Sequence, residues 1–138
     1  MNVINYKEDE EFFLSLIKEL NSGDLSMATG YLNLTKEYLK ALNDRNGPVR
    51  LLTSSPRANG FYKAGRIKKY IPGIYRVNEE RMLRNQQKLA LWEWEAHGWT
   101  YHAKGAWFHN EDDSKLVDLS VIGSSNFSHR SNRRDTEC

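Results

Sequence analysis

Between Leu25 and Ser55 the chain runs through a short apolar stretch (LSMATGYL), an amphipathic stretch (NLTKEYLKAL), a turn (NDRNGP) and a second short apolar stretch (VRLLTSS). Nothing else in the sequence limits the fold as much. A short apolar run bounded by turn residues has the length of a buried strand. The stretch between the two has Leu34, Tyr38, Ala41 and Leu42 on one side, which is the spacing of a helix. Upstream, Phe13, Leu16, Ile17 and Leu20 recur at i, i+3, i+4 and i+7, a first helix that NSGD terminates. Downstream, PRANGFYKAGRIKKYIPG reads as a surface loop. Ile71, Tyr75, Met82, Leu89, Trp92 and Ala96 then predict a long helix from about Ile74 to His97, closed by Gly98. The last two strands are WTYHAKGAWF and KLVDLSVIG, joined by HNEDDS. The order is helix, strand, helix, strand, loop, helix, strand, strand. It predicts an α/β layered domain with a mixed β-sheet flanked by helices.

The 138 residues suffice for one domain with its own core, and a hydrophobic fraction of 39% argues against disorder. A formal net charge of +2 is too small to point to a nucleic-acid partner by itself. One cysteine, Cys138, excludes an internal disulfide framework. No apolar run approaches the roughly 18 residues of a membrane span. The opening MNVINYKEDEEFF is acidic where a secretory or mitochondrial leader is basic, so no targeting segment is expected within these residues.

The chemistry concentrates in GWTYHAKGAWF and VIGSSNF. If the first is a strand, His102 and Lys104 project to the same face, while Ala103 and Gly105 are small enough for close packing behind them. An imidazole and an ammonium repel when both are charged, which favours a neutral imidazole. An anion between them makes the pair productive: lysine neutralises phosphate oxygens, and histidine attacks phosphorus or moves a proton. The GSSN turn adds backbone amides, the Ser124 and Ser125 hydroxyls and the Asn126 amide as uncharged donors to phosphate oxygens. A lone His-x-Lys is common and usually incidental. The order His-x-Lys, strand, Gly-Ser-x-Asn, and then Glu137 eleven residues after Asn126 is less so.

That order resembles the HKD motif of the phospholipase D superfamily. The stretches ATGYLNLTKEYL, LLTSSPRANGF, IPGIY, GWTYHAKGAWF and IGSSNFSHRSNRRDTE together resemble the C-terminal half of the eukaryotic phosphatidylglycerophosphate synthase family. The resemblance implies a phospholipase D-like half-domain over residues 1–138, incomplete by itself, with one HKD motif at 102–137. It implies transfer of a phosphatidyl group from CDP-diacylglycerol to glycerol 3-phosphate with release of CMP, at a membrane surface, in mitochondria, with no metal or cofactor and no nucleic acid. His102 then acts as general acid and base, and the nucleophilic histidine belongs to a second motif in a missing N-terminal half. Lys104 and Asn126 hold phosphate oxygens with help from Ser124, and Glu137 orients a histidine. Two departures stand out. The general motif has an aspartate seven residues after its histidine, and this chain has His109 there. There is also no second His-x-Lys, since Trp99, Glu111 and Ser131 follow His97, His109 and His129. Two alternatives are a single-motif phosphodiesterase completed by dimerisation, and an inert binding domain.

Other residues carry weaker expectations. Lys63, Arg66, Lys68 and Lys69 form a basic loop suited to lipid headgroups or nucleotide phosphates, and Arg130, Arg133, Arg134 and Asp135 are either a charged turn or a phosphate grip. The four tryptophans suit a membrane-interface belt, but Trp92 is expected in the core on the long helix and Trp107 in a strand beside the site, with Trp94 and Trp99 undecided; His97 is expected at a helix C-terminus. The spacing of His97, His102 and His109 does not suit zinc.

Overall fold

The computed structural model describes residues 6–58, 88–124 and 126–128. Helix α1 (Tyr6–Glu19) is followed by β1 (Leu25–Thr29), α2 (Lys36–Asn43), β2 (Val49–Ser54), β3 (Leu89–Trp94), β4 (Gly105–His109) and β5 (Val117–Ile122). The strands form one sheet in the order β3-β2-β1-β4-β5. β1, β2 and β3 run parallel, while β4 runs antiparallel to both β1 and β5. The expected α/β domain with a mixed sheet and flanking helices is what forms.

The two helices arise as their sequences suggest. Thr35 caps α2, its side-chain oxygen accepting from the Tyr38 amide at 3.3 Å. α2 is also the crossover that two parallel neighbours such as β1 and β2 require. α1 has Glu8 and Asp9 in its first turn and Lys18 in its last, the arrangement a helix dipole favours.

Side chains alternate along each strand. Leu25 and Met27 therefore share a face with Val49, Leu51, Leu89, Ala106 and Phe108, all buried. Both helices cover that face. Phe13 of α1 packs edge-on against Phe108 at 6.2 Å and against Tyr38 of α2 at 5.7 Å. Among the described residues, no helix covers the other face.

Two sequence expectations fail here. Leu89–Trp94 is a strand, and the rest of the expected long helix, residues 74–87, lies outside the described residues. Leu89, Trp92 and Ala96 do match a helical period, but Leu89 and Leu91 also match a period of two. The exposed backbone edge of β2 decides between them by pairing with β3 from Val49↔Leu89 to Ser54↔Trp94. Trp92 consequently points to the helix-free face and is 64% exposed instead of joining the core. His97 and Gly98 sit in an exposed turn closed by Trp99 N–H donating to Ala96 O at 3.1 Å, with Gly98 at φ +78°. Neither belongs to a helix end.

The second failure concerns WTYHAKGAWF. Its strand begins only at Gly105, so His102 and Lys104 lie in an irregular segment just ahead of β4. Tyr101 N–H donates to Ala58 O at 3.0 Å and ties that segment to the chain beyond β2 instead of to a sheet neighbour.

Gly47, in the turn before β2, shows how tightly the opposite end of the sheet is packed. A Cβ there would lie 2.2 Å from the carbonyl oxygens of both Ser22 and Gly23. Both obstacles are backbone, so neither moves cheaply. Gly47→Ala is expected to cost about 1–3 kcal/mol, toward the upper end, read as a drop in the denaturant midpoint at unchanged slope. A midpoint equal to wild type would show that the two turns separate freely.

Candidate active site

The carboxyl ends of β1, β2, β3 and β5 and the amino end of β4 all lie at one edge of the sheet, as the pairings Ala28↔Gly105 and Gly105↔Ile122 require. Pairing changes from parallel to antiparallel between β1 and β4. The strand order also reverses between β1 and β4, and in open α/β sheets ligands bind outside the strand carboxyl ends at such a reversal. His102, Lys104, Ser124 and Asn126 all belong to segments that leave or enter this edge.

His102 and Lys104 are in contact. Lys104 Nζ lies 3.1 Å from His102 Nδ1, 3.2 Å from Nε2 and 3.2 Å from the His102 carbonyl oxygen. The two side chains meet as expected, although in an irregular segment ahead of β4 and not on a shared strand face. Nζ is nearly equidistant from the two ring nitrogens, so the ammonium lies against the imidazole instead of along one lone pair. His102 is exposed and Lys104 half-buried, which leaves both within reach of a phosphate.

The floor beneath them is built by residues that motif reasoning passed over. Gly30 follows β1 directly. A Cβ there would sit 3.5 Å from Asn126 Oδ1, 3.5 Å from Tyr101 O and 3.6 Å from His102 Cα, so Gly30 neighbours Asn126 and His102 at once. Its carbonyl accepts from the buried Ser54 hydroxyl at 2.8 Å. The buried Thr29 hydroxyl lies 3.0 Å from Asn126 O and 3.1 Å from Tyr31 O, and shares its one proton between them. Two consecutive β1-end residues thus hold the Asn126 segment against the His102 segment.

Phe127 secures Asn126 from the other side. Its ring is buried and stacks on Phe13 at 4.9 Å, with Tyr38 edge-on at 6.0 Å. Its backbone has φ +55°, a left-handed conformation uncommon for a bulky residue. Burial of the ring offsets that strain, and the turn places Asn126 at the site. Ser124 is exposed just past β5, and Ser125 lies outside the described residues. Glu137, the basic loop Lys63, Arg66, Lys68 and Lys69, and the cluster Arg130, Arg133, Arg134 and Asp135 also lie outside them.

Aromatic rings flank the pair. Tyr31 stands edge-on to His102 with ring centroids 6.5 Å apart, and Tyr101 packs on Trp94 at 5.4 Å. Burial raises both tyrosine hydroxyls above their usual value of 10.0, so they remain neutral donors at physiological pH. Ser55 Oγ donates to Glu95 Oε2 at 2.8 Å, joining the ends of β2 and β3.

His109 takes no part. It ends β4 at the opposite edge of the sheet, where its backbone N–H donates to Asp24 O at 2.8 Å and its Nε2 lies 2.9 Å from Ser26 Oγ. That position is four residues along the strand from Gly105, where β4 starts, roughly 13 Å at ordinary strand rise. Position 109, seven residues after His102, therefore lies at the edge of the sheet opposite the one that carries His102.

No family model matches the chain. It is 36% identical over 137 residues to the mitochondrial CDP-diacylglycerol–glycerol-3-phosphate 3-phosphatidyltransferase of Homo sapiens, covering 94% of this chain and 24% of the relative. The Gallus gallus enzyme is 38% identical over 117 residues, covering 80% and 21%. A probable enzyme of the same name from Dictyostelium discoideum is 30% identical over 144 residues, covering 99% and 25%. The chain is a homologue of these phosphatidyltransferases. It spans about a quarter of the length of the curated phosphatidyltransferases it matches. Phosphatidylserine synthase of Haemophilus influenzae has the same fold, with a TM-score of 0.76 at 20% identity over 91% of this chain and 29% of that one.

Proposed function

We propose that this chain supplies one motif of a phosphatidyltransferase site that moves a phosphatidyl group from CDP-diacylglycerol to glycerol 3-phosphate. The observation that carries the reading is the His102–Lys104 contact at the carboxyl edge of the sheet, with Asn126 held beside it across Gly30.

The chemistry balances in two displacements. A histidine from a second motif attacks the phosphatidyl phosphorus. The P–N bond forms, the bond to CMP breaks, and His102 in its protonated form gives its proton to the departing CMP oxygen. His102, now neutral, takes the proton of a glycerol 3-phosphate hydroxyl. That oxygen attacks phosphorus, the P–N bond breaks, and phosphatidylglycerophosphate leaves. Lys104 neutralises the non-bridging oxygens throughout, and the Asn126 amide and Ser124 hydroxyl donate to them. Glu137 orients a histidine, and the second motif belongs to the part of the family's length that residues 1–138 do not span. The protein acts as a peripheral enzyme at a mitochondrial membrane, in keeping with the names of its animal relatives.

The test is a chimera in which this chain replaces the matching quarter of the human relative. It is assayed with CDP-diacylglycerol and labelled glycerol 3-phosphate, next to the parent enzyme and the chain alone. Transfer by the chimera is the expected result. A soluble, folded chimera that transfers nothing while the parent is active would remove the proposal. Activity of the chain alone would instead mean that two copies complete the site.

A further inference from the structure

The helix-free face of the sheet has an unusual order of side chains. One transverse row crosses all five strands through the pairings Trp92↔Leu52, Leu52↔Ala28, Ala28↔Gly105 and Gly105↔Ile122. Every member is apolar or glycine, and the row lies next to the edge that carries His102. Its two outer members are exposed, Trp92 at 64% and Ile122 at 74%. Trp99, in the loop leading to His102, is 73% exposed. The next row back on the same face is different. It runs Ala90↔Arg50↔Ser26↔Trp107↔Ser120, with Arg50 bound to Asp24.

Depth decides what this band fits. Two residues along a strand advance about 6.6 Å, so the apolar zone ends within roughly that distance of the edge. A second sheet packed face to face needs inward apolar residues along the whole length of its strands, and the polar second row does not offer them. A lipid surface asks for less, since interfacial elements immerse their apolar side chains about 5–10 Å, to the boundary of headgroups and acyl chains. Trp92 and Ile122 sit four strand spacings apart, about 19 Å, so two anchors fix the tilt of the sheet. Tryptophan is the side chain favoured at that depth. Among the described residues no helix is long and apolar enough to cross a membrane, so a surface contact is the form of attachment they provide.

We infer that Trp92, Ile122 and Trp99 rim the catalytic edge as a membrane-docking band, inserting into the lipid interface and holding His102 and Lys104 at the headgroup plane. This rests on the proposed use of a diacyl lipid donor, whose phosphates lie in that plane.

The experiment is vesicle co-sedimentation of the chain with phosphatidylcholine vesicles, with and without phosphatidylglycerol, and tryptophan quenching by brominated lipid. The variants are Trp92→Ala, Trp99→Ala and Ile122→Ser, singly and combined, with Leu116→Ser at the far edge as control. Melting curves establish that each variant folds. The wild type should partition and be quenched, and the triple variant should lose at least about tenfold in partitioning. Leu116→Ser should match wild type. A triple variant that partitions like wild type overturns the inference, as does a wild type that ignores both vesicles. A wild type that dimerises where the triple variant is monomeric also overturns it, by assigning the band to protein contact. His102→Asn should leave partitioning intact, so failure of the transfer chemistry and failure of the docking band are read on separate assays.

Discussion

His102→Asn in the chimeric enzyme is expected to lower phosphatidyl transfer by about 10²–10⁴-fold, with the loss in kcat. Asparagine nearly preserves size and can still hydrogen-bond, but it neither takes nor gives a proton at neutral pH. Both displacements need that proton, first on the CMP oxygen and then off the acceptor hydroxyl. Lys104→Ala should cost about 10²–10³-fold, the scale of losing one preorganised donor to developing phosphate charge. Lys104→Arg should recover little, because a planar fork does not reproduce the compact ammonium lodged against the imidazole. Neither substitution removes a core contact, since His102 is exposed, so melting temperatures should stay at the wild-type value. The result that sinks the assignment is a folded His102→Asn enzyme retaining more than a tenth of parental transfer. His102 would then be a bystander, and the proton would have to move elsewhere.

How much of this was legible beforehand differs from element to element. α2 carries one clean period, with Tyr38, Ala41 and Leu42 buried and Leu34 buried just ahead of its cap, and β1 and β2 are short apolar runs between turns. Each has a single reading. Leu89–Trp94 has two, because Leu89 and Trp92 satisfy a helical spacing while Leu89 and Leu91 satisfy a strand. What breaks the tie is the unpaired edge of β2, a partner distant in sequence that no local window contains. In the site, His102, Lys104 and Asn126 were marked by residue type and order. Their mutual arrangement was not, because it arises in the irregular segment ahead of β4 and not from strand alternation. Gly30 and Phe127 left little signal. A glycine after a strand and a phenylalanine after a polar turn become informative only once α1, β1 and the turn at Asn126 are seen to meet.

Arg45→Ala is expected to destabilise the fold by about 3–5 kcal/mol, from three carbonyls left without their donor together with the cavity that opens. Arg45 is 1% exposed, the one buried charged side chain among the described residues. Its Nη1 donates to Ile17 O at 3.1 Å and Leu20 O at 2.5 Å, and its Nη2 to Gly23 O at 2.5 Å. These carbonyls belong to the last turn of α1 and the connection into β1, which lack intrahelical donors. The guanidinium answers them together, and its positive charge suits the negative end of the helix. It also lies over the Phe108 ring, with 5.8 Å to the centroid. Burial alone lowers its affinity for a proton and the nearby Asp24 charge raises it again; guanidinium titrates so high that it stays charged throughout. Alanine leaves the carbonyls buried without their donor and opens a cavity under Phe108. Methionine fills the cavity but still provides no donor. The two costs therefore separate: Arg45→Met should recover the packing share and leave the hydrogen-bond share missing, so it should fall between alanine and wild type in a denaturant titration. Equal losses for both would place the whole effect in hydrogen bonding. An alanine variant within about 1 kcal/mol of wild type would mean that water reaches the end of α1, contrary to the burial of Ile17, Leu25 and Phe108 around it.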